Sequence, residues 1–180
     1  MKPYKFIPII FALLAFQFTA NAQVTATKEV TAKAEVLAPL KITSATVMDF
    51  GRLYSLAEGY SVTLVPSGAT DSRTSDKPAD VPTVTNETVK LAVLEIEGAA
   101  NNKYVIAPPA TSVVLSGSNG SSMTLGDFKA YTTSGNQITA ATTIDGTGKS
   151  SFKLGATLTL GKTQAAGTYE GKFEVKVTYE

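Results

Sequence analysis

Few residues in this chain could carry covalent chemistry, and the missing types decide most of the question. Of 180 residues none is histidine, cysteine or tryptophan. The usual general base, the commonest zinc ligand and the Ser-His and Cys-His nucleophile pairs are therefore out of reach. Three patterns remain. Ser150-Ser-Phe-Lys153 has the S-x-x-K spacing of a serine nucleophile and its lysine. It lies in an alternating apolar stretch, however, and on a strand positions i and i+3 face opposite ways, so the two side chains should diverge. Gly155 to Thr163 (GATLTLGKT) resembles a phosphate-binding loop but has five residues between its glycines instead of four. It also follows a strand without opening a helix, and a helix N-terminus is what such a loop uses to hold phosphate. Asp71, Asp76 and Asp80 could offer oxygen ligands to calcium, yet Arg73 and Lys77 stand among them with no EF-hand spacing, which favours a solvated loop. These residues predict no enzyme, no cofactor and no metal site.

The richest pattern is mechanical. Along the C-terminal stretch Gly167 to Glu180, Tyr169, Gly171, Phe173, Val175, Val177 and Tyr179 share one parity. Glu170, Lys172, Glu174, Lys176 and Thr178 share the other. Successive side chains on a strand alternate between faces, so the spacing predicts one strand with a buried and a wet side. A second alternation runs through Val24, Ala26, Val30, Ala32, Ala34 and Val36, interrupted by Lys28.

The elements around these two segments read as strands throughout. Leu40–Met48, Tyr60–Val65, Val89–Glu97, Lys103–Ala107, Thr111–Leu115, Met123–Tyr131 and Phe152–Leu160 are apolar or β-branched runs. Turn signals separate them, among them Ser116 to Ser122, Ser134-Gly135-Asn136 and Asp145 to Gly148. Residues 66–82, with prolines at 66, 78 and 82, have no apolar period and read as a long mobile loop. No window outside the first 22 residues shows a helical period. The expectation is one all-β domain, an antiparallel β-sandwich of immunoglobulin-like or pilin-like Greek-key type, over residues 37–180.

Residues 1–22 read as a cleaved signal peptide: Lys2 and Lys5, an apolar run from Phe6 to Phe18, then Ala20-Asn21-Ala22. The apolar run is shorter than the ~20 residues a membrane span needs, so no membrane insertion is predicted. The chain from Gln23 would carry 14 basic and 15 acidic residues, interspersed, with no basic patch for nucleic acid. Export to the periplasm, cell surface or medium follows, and the absence of cysteine leaves core and ladder to hold the fold.

Three blocks carry a resemblance. They are Ala34 to Ile42 with Met48-Asp-Phe-Gly51, then Gly117 to Phe128, and finally Phe152 to Leu160 joined to Gly167–Tyr179. The chain resembles an exported pilin-like bacterial family of unknown function, similar to spore coat U proteins and chaperone–usher fimbrial subunits. The glycine fourteen residues from the end and the penultimate tyrosine belong to that resemblance. It implies partners: a periplasmic chaperone, an outer-membrane usher, and copies of this chain or related subunits. It also implies that the C-terminal strand borders a groove which another chain's N-terminal strand fills. Residues 23–36 are then either that donor strand or the domain's own first strand. The C-terminal strand is either the groove edge or an ordinary terminal strand whose edge Lys172 and Lys176 protect.

The expected function is a structural or adhesive surface subunit assembled by β-strand addition. The alternative is a self-contained sandwich that recognises glycan or a surface protein through the 66–82 loop. The six tyrosines from Tyr54 to Tyr179 could stack on sugars, although inward-facing packing is the better account of Tyr169 and Tyr179.

Overall fold

The computed structural model describes residues 25–67, 70–79 and 88–180. The signal-peptide reading and Val24 lie outside them. Val36–Glu180 forms one unit. It contains β1 (Lys41–Ala45), β2 (Tyr60–Ser67), β3 (Thr70–Ser75), β4 (Ala92–Glu97), β5 (Lys103–Ala107) and β6 (Val113–Gly117). After these come β7 (Ser122–Thr132), β8 (Thr142–Thr143), β9 (Lys149–Leu160), β10 (Tyr169–Glu170) and β11 (Lys176–Tyr179). Every pairing among the described residues is antiparallel. One sheet runs β1-β4-β9-β7-β6-β10 with β2 and β3 attached, and a second runs β11-β5-β8. The all-β sandwich expected from the strand spacing is the fold observed.

The twelve-residue β9 organises the larger sheet. Its core face carries Phe152, Leu154, Ala156, Leu158 and Leu160, all buried, as their alternation demands. β7 lies along one edge, while β4 and then β2 share the other. Beyond Thr63, β2 leaves that edge and crosses the opposite face of β9 at Gly155, where an added Cβ would collide with the Leu64 carbonyl oxygen. The β2–β3 hairpin thereby covers Lys153. Lys153 Nζ donates to Asp71 Oδ1 at 2.7 Å, and the Leu91 N–H donates to Asp71 Oδ2 at 2.9 Å.

The 66–82 reading therefore needs correction. β2 continues through Ser67, and Thr70–Ser75 pairs with it as β3. The segment lacks an apolar period because its inward positions are polar groups with partners: Asp71 on Lys153, and Arg73 donating to the Phe50 carbonyl at 2.6 Å. Asp76 accepts from the Ser61 N–H at 2.8 Å, so Asp71 and Asp76 serve separate structural bonds, and Asp80 falls outside the described residues.

Within β7 the register slips between Gly126 and Lys129, and Asp127 takes φ 48°. This bulge shifts parity, so Leu125 faces the core before it and Ala130 after it. Phe128 gains a place beside Phe173, with ring centroids 4.9 Å apart.

Burial raises the pKa of Tyr60, Tyr104 and Tyr131, against which the Tyr54 carbonyl and the Ser150 hydroxyl pull at Tyr60 and Tyr104. A phenol raised in the folded state holds its proton longer there than in the unfolded chain. Its stability contribution is complete below the unfolded value of about 10 and fades as pH rises through the folded one. Alkaline titration should thus show the tyrosinate absorbance of these three buried phenols appearing together with loss of the β circular dichroism above about pH 10. Ionisation of the buried phenols Tyr60, Tyr104 and Tyr131 well ahead of unfolding would overturn this; earlier ionisation of Tyr169, whose pKa is lowered, would not. Tyr104→Phe should separate the two transitions.

Candidate functional site

The C-terminal segment keeps its predicted parity but is not one strand. Tyr169, Phe173, Val175, Val177 and Tyr179 are half-buried, while the even-numbered residues are exposed. Tyr169 and Glu170 pair with β6 in one sheet, and Lys176–Tyr179 pair with β5 in the other. Five residues, Gly171 to Val175, cross between the sheets outside either ladder. The opposing chain explains the break. Between Ala107 and Ser116 it has eight residues against those five, and it includes Pro108 and Pro109, which have no N–H to donate.

The structure places Gly171, Phe173 and Val175 on the wall of a groove of about 1240 Å³. Gln164 to Tyr169, including Gly167, continue that wall. The facing wall is Ile42 with residues 45–55, and Leu115, Met123, Leu125, Leu158 and Leu160 of the core form the floor. Among the described strands β1 pairs with β4 alone, so its other edge has no strand partner there. Two apolar side chains on the β1 side stand out, Ile42 at 38% and Val47 at 80% exposure. The groove is thus bounded by the unpaired edge of β1, which presents free backbone N–H and C=O groups, and by an unladdered segment. Val177 and Tyr179 lie past its end, in β11.

Both ends of this wall are fastened. The Tyr169 hydroxyl donates to the Ala165 carbonyl at 2.5 Å, accepts from Gln164 Nε2 at 2.8 Å, and contacts the Ser121 hydroxyl. The Ser121 bond, with help from Gln164 and Asn119 and against some desolvation, lowers the Tyr169 pKa. At the other end the Tyr179 hydroxyl donates to the Ala38 carbonyl at 2.8 Å and accepts from the Ala99 N–H at 2.6 Å.

Residues 25–35 belong to the other unit. The stretch 25–39 carries no strand, and every residue in it is exposed, Val30 at 83% and Val36 at 94%. Ala26, Val30, Ala32, Ala34 and Val36 carry no strand assignment.

Residues read for chemistry are dispersed. Ser150 hydrogen-bonds Tyr104 at 2.9 Å and Lys153 reaches Asp71, so the S-x-x-K pair diverges across β9. Gly155 to Leu160 of the phosphate-loop lookalike lie within β9 itself. Among the described residues no three acidic side chains cluster to hold a metal. Of the described tyrosines only Tyr54 is exposed, at 46%, so they form no surface platform. The break in the C-terminal strand was missed in the sequence; its signal was Pro108-Pro109, which lie opposite a segment of perfect parity.

A protein-family model described as Domain of unknown function (DUF4402) matches residues 40–179. The match begins just before β1 and runs through β11, leaving 25–39 outside it. No curated protein and no solved structure matches the chain.

Proposed function

We propose that this chain, which belongs to that family of unknown function, is an exported structural or adhesive subunit of the cell surface assembled by β-strand addition. The observation that carries this reading is the groove between β1 and Gly171–Val175. It has an apolar floor from the domain's own core, the unpaired edge of β1 on one side and the unladdered Gly171–Val175 segment on the other. Strand addition draws affinity from such main-chain bonds and specificity from alternate side chains. The exposed, alternating 25–36 segment has the composition of a donor strand, and the sequence resemblance to fimbrial subunits points the same way. A periplasmic chaperone would serve to cover the groove before assembly, and an outer-membrane usher to pass the subunit on.

Thermal unfolding tests it. Residues 23–180 are compared with a chain lacking 23–33, each with and without a synthetic 23–36 peptide. A ligand that binds only the folded state at 100 times its Kd contributes about 2.7 kcal/mol, which raises Tm by roughly 5–10 °C in a domain of this size. Such a rise is expected for the shortened chain. No binding and no change in Tm would end the strand-addition reading.

A further inference from the structure

Asn119-Gly120 is the one Asn-Gly pair in the chain, and it stands in the turn between β6 and β7. Glycine has no Cβ to keep its peptide nitrogen away from the preceding side-chain amide, so the sequence leaves this asparagine chemically open. The fold closes it. Asn119 Oδ1 accepts from the Ser121 N–H at 2.9 Å and from the Ser121 hydroxyl. Asn119 Nδ2 donates to the Ala166 carbonyl at 2.7 Å, and the Gly120 N–H donates to the Gly117 carbonyl at 3.0 Å. Nucleophile, leaving nitrogen and side-chain carbonyl are each held by a separate partner.

Two glycines make room for this arrangement. A Cβ at Gly117 would meet Asn119 Oδ1 at 2.7 Å, and one at Gly167 would stand 3.1 Å from Asn119 Nδ2. The glycine fourteen residues from the end thus lets the arm 164–168 lie close against the turn. The Ser118 N–H pins that arm by donating to the Thr168 carbonyl at 2.9 Å, and Gln164 Nε2 donates to the Ser122 carbonyl at 3.2 Å. Because residues 164–168 are part of the groove wall, whatever frees the wall also bares Asn119.

We infer that Asn119 is a self-modification site, held unreactive by the docked arm and converted irreversibly once the arm is released. In the released state the Gly120 peptide nitrogen loses its proton and attacks Asn119 Cγ. The side-chain nitrogen leaves as ammonia. Water then opens the cyclic imide to aspartate, or to the isomer linked through the β-carboxyl, and no other reactant takes part. The product has only acceptor oxygens where Nδ2 donated, so it meets the Ala166 carbonyl acceptor to acceptor. The tie cannot re-form. Chains whose wall stays docked remain intact, whereas chains that linger with the arm open acquire a lasting mark. The inference holds whatever occupies the groove.

Mass spectrometry tests it on the exported chain, residues 23–180, incubated at mildly alkaline pH either folded or in urea. Trypsin releases residues 104–129, whose sole side-chain amide is Asn119, so the fragment's mass reports this conversion alone. Conversion should be at least about tenfold slower in the folded chain, since it must pass through the minority in which the arm is open. Tyr169→Phe removes the hydroxyl that donates to the Ala165 carbonyl. It should speed conversion of the folded chain about fivefold and leave the rate in urea unchanged. Asn119→Asp, the product itself, should raise hydrogen exchange at the Ser118 amide about tenfold while the β9 amides keep theirs. Equal rates folded and in urea overturn the protection. A Tyr169→Phe chain that converts no faster assigns the protection to the turn alone and overturns the arm's part. Unchanged exchange in Asn119→Asp overturns the lasting release.

Discussion

Gly155→Val should leave a chain that barely folds, and Gly155→Ala should lose about 3 kcal/mol in urea unfolding. The Cβ of alanine would collide with the Leu64 carbonyl oxygen and stand 3.1 Å from the Tyr131 ring. A flexible side chain could swing aside, but a carbonyl belongs to the backbone of β2. To relieve the clash the β2–β3 hairpin must lift from β9, which uncovers Tyr131 and separates Asp71 from Lys153. Because total stability of a domain is about 5–15 kcal/mol, the larger valine approaches its limit. Gly126→Ala is the control. Its Cβ would meet only the Ser112 Cβ at 3.7 Å, and alanine lowers the entropy of the unfolded chain, so stability should hold or rise slightly. Equal effects at the two glycines would refute the crossing as the cause.

Asp71→Ala should cost nearly as much, about 3 kcal/mol. Both side chains of the Asp71–Lys153 pair are only 14% exposed, so the loss of the carboxylate strands an ammonium under the hairpin. The Leu91 N–H loses its acceptor at the same time. The cost comes chiefly from the orphaned charge, not from the pair's own net contribution. Lys153→Met added to Asp71→Ala should therefore recover a large share of it. Urea midpoints of the two single variants and the double variant decide the matter. A double variant as unstable as the sum of the singles would show that the pair is not coupled.

Much of this was legible in the residues. Strict alternation from Phe152 to Leu160 identified the central strand, because the period of two is a property of the backbone and needs no partner. The Lys103–Ala107 strand appears with the bounds its sequence suggests. The C-terminal parity was readable for the same reason, and so was the divergence of Ser150 from Lys153.

Which residues share a face was thus determined locally; what lies across from them was not. Residues 70–75 became a strand only because β2 supplied a ladder and Lys153 and the Phe50 carbonyl satisfied their inward polar groups. The bulge at Gly126 moved Phe128 to the core side by a register slip against β9. Tyr169–Tyr179 broke into two strands because the chain facing it is three residues longer and begins its excess with two prolines. Side-chain alternation is set by bonds within a segment, but hydrogen-bond partners come from distant parts of the chain, as Asp71 and Lys153 do. For that reason the sequence alone determined most strands and the parity within them, and only the tertiary structure decided the pairing of residues 70–75, the bulge in β7 and the groove between β1 and Gly171–Val175.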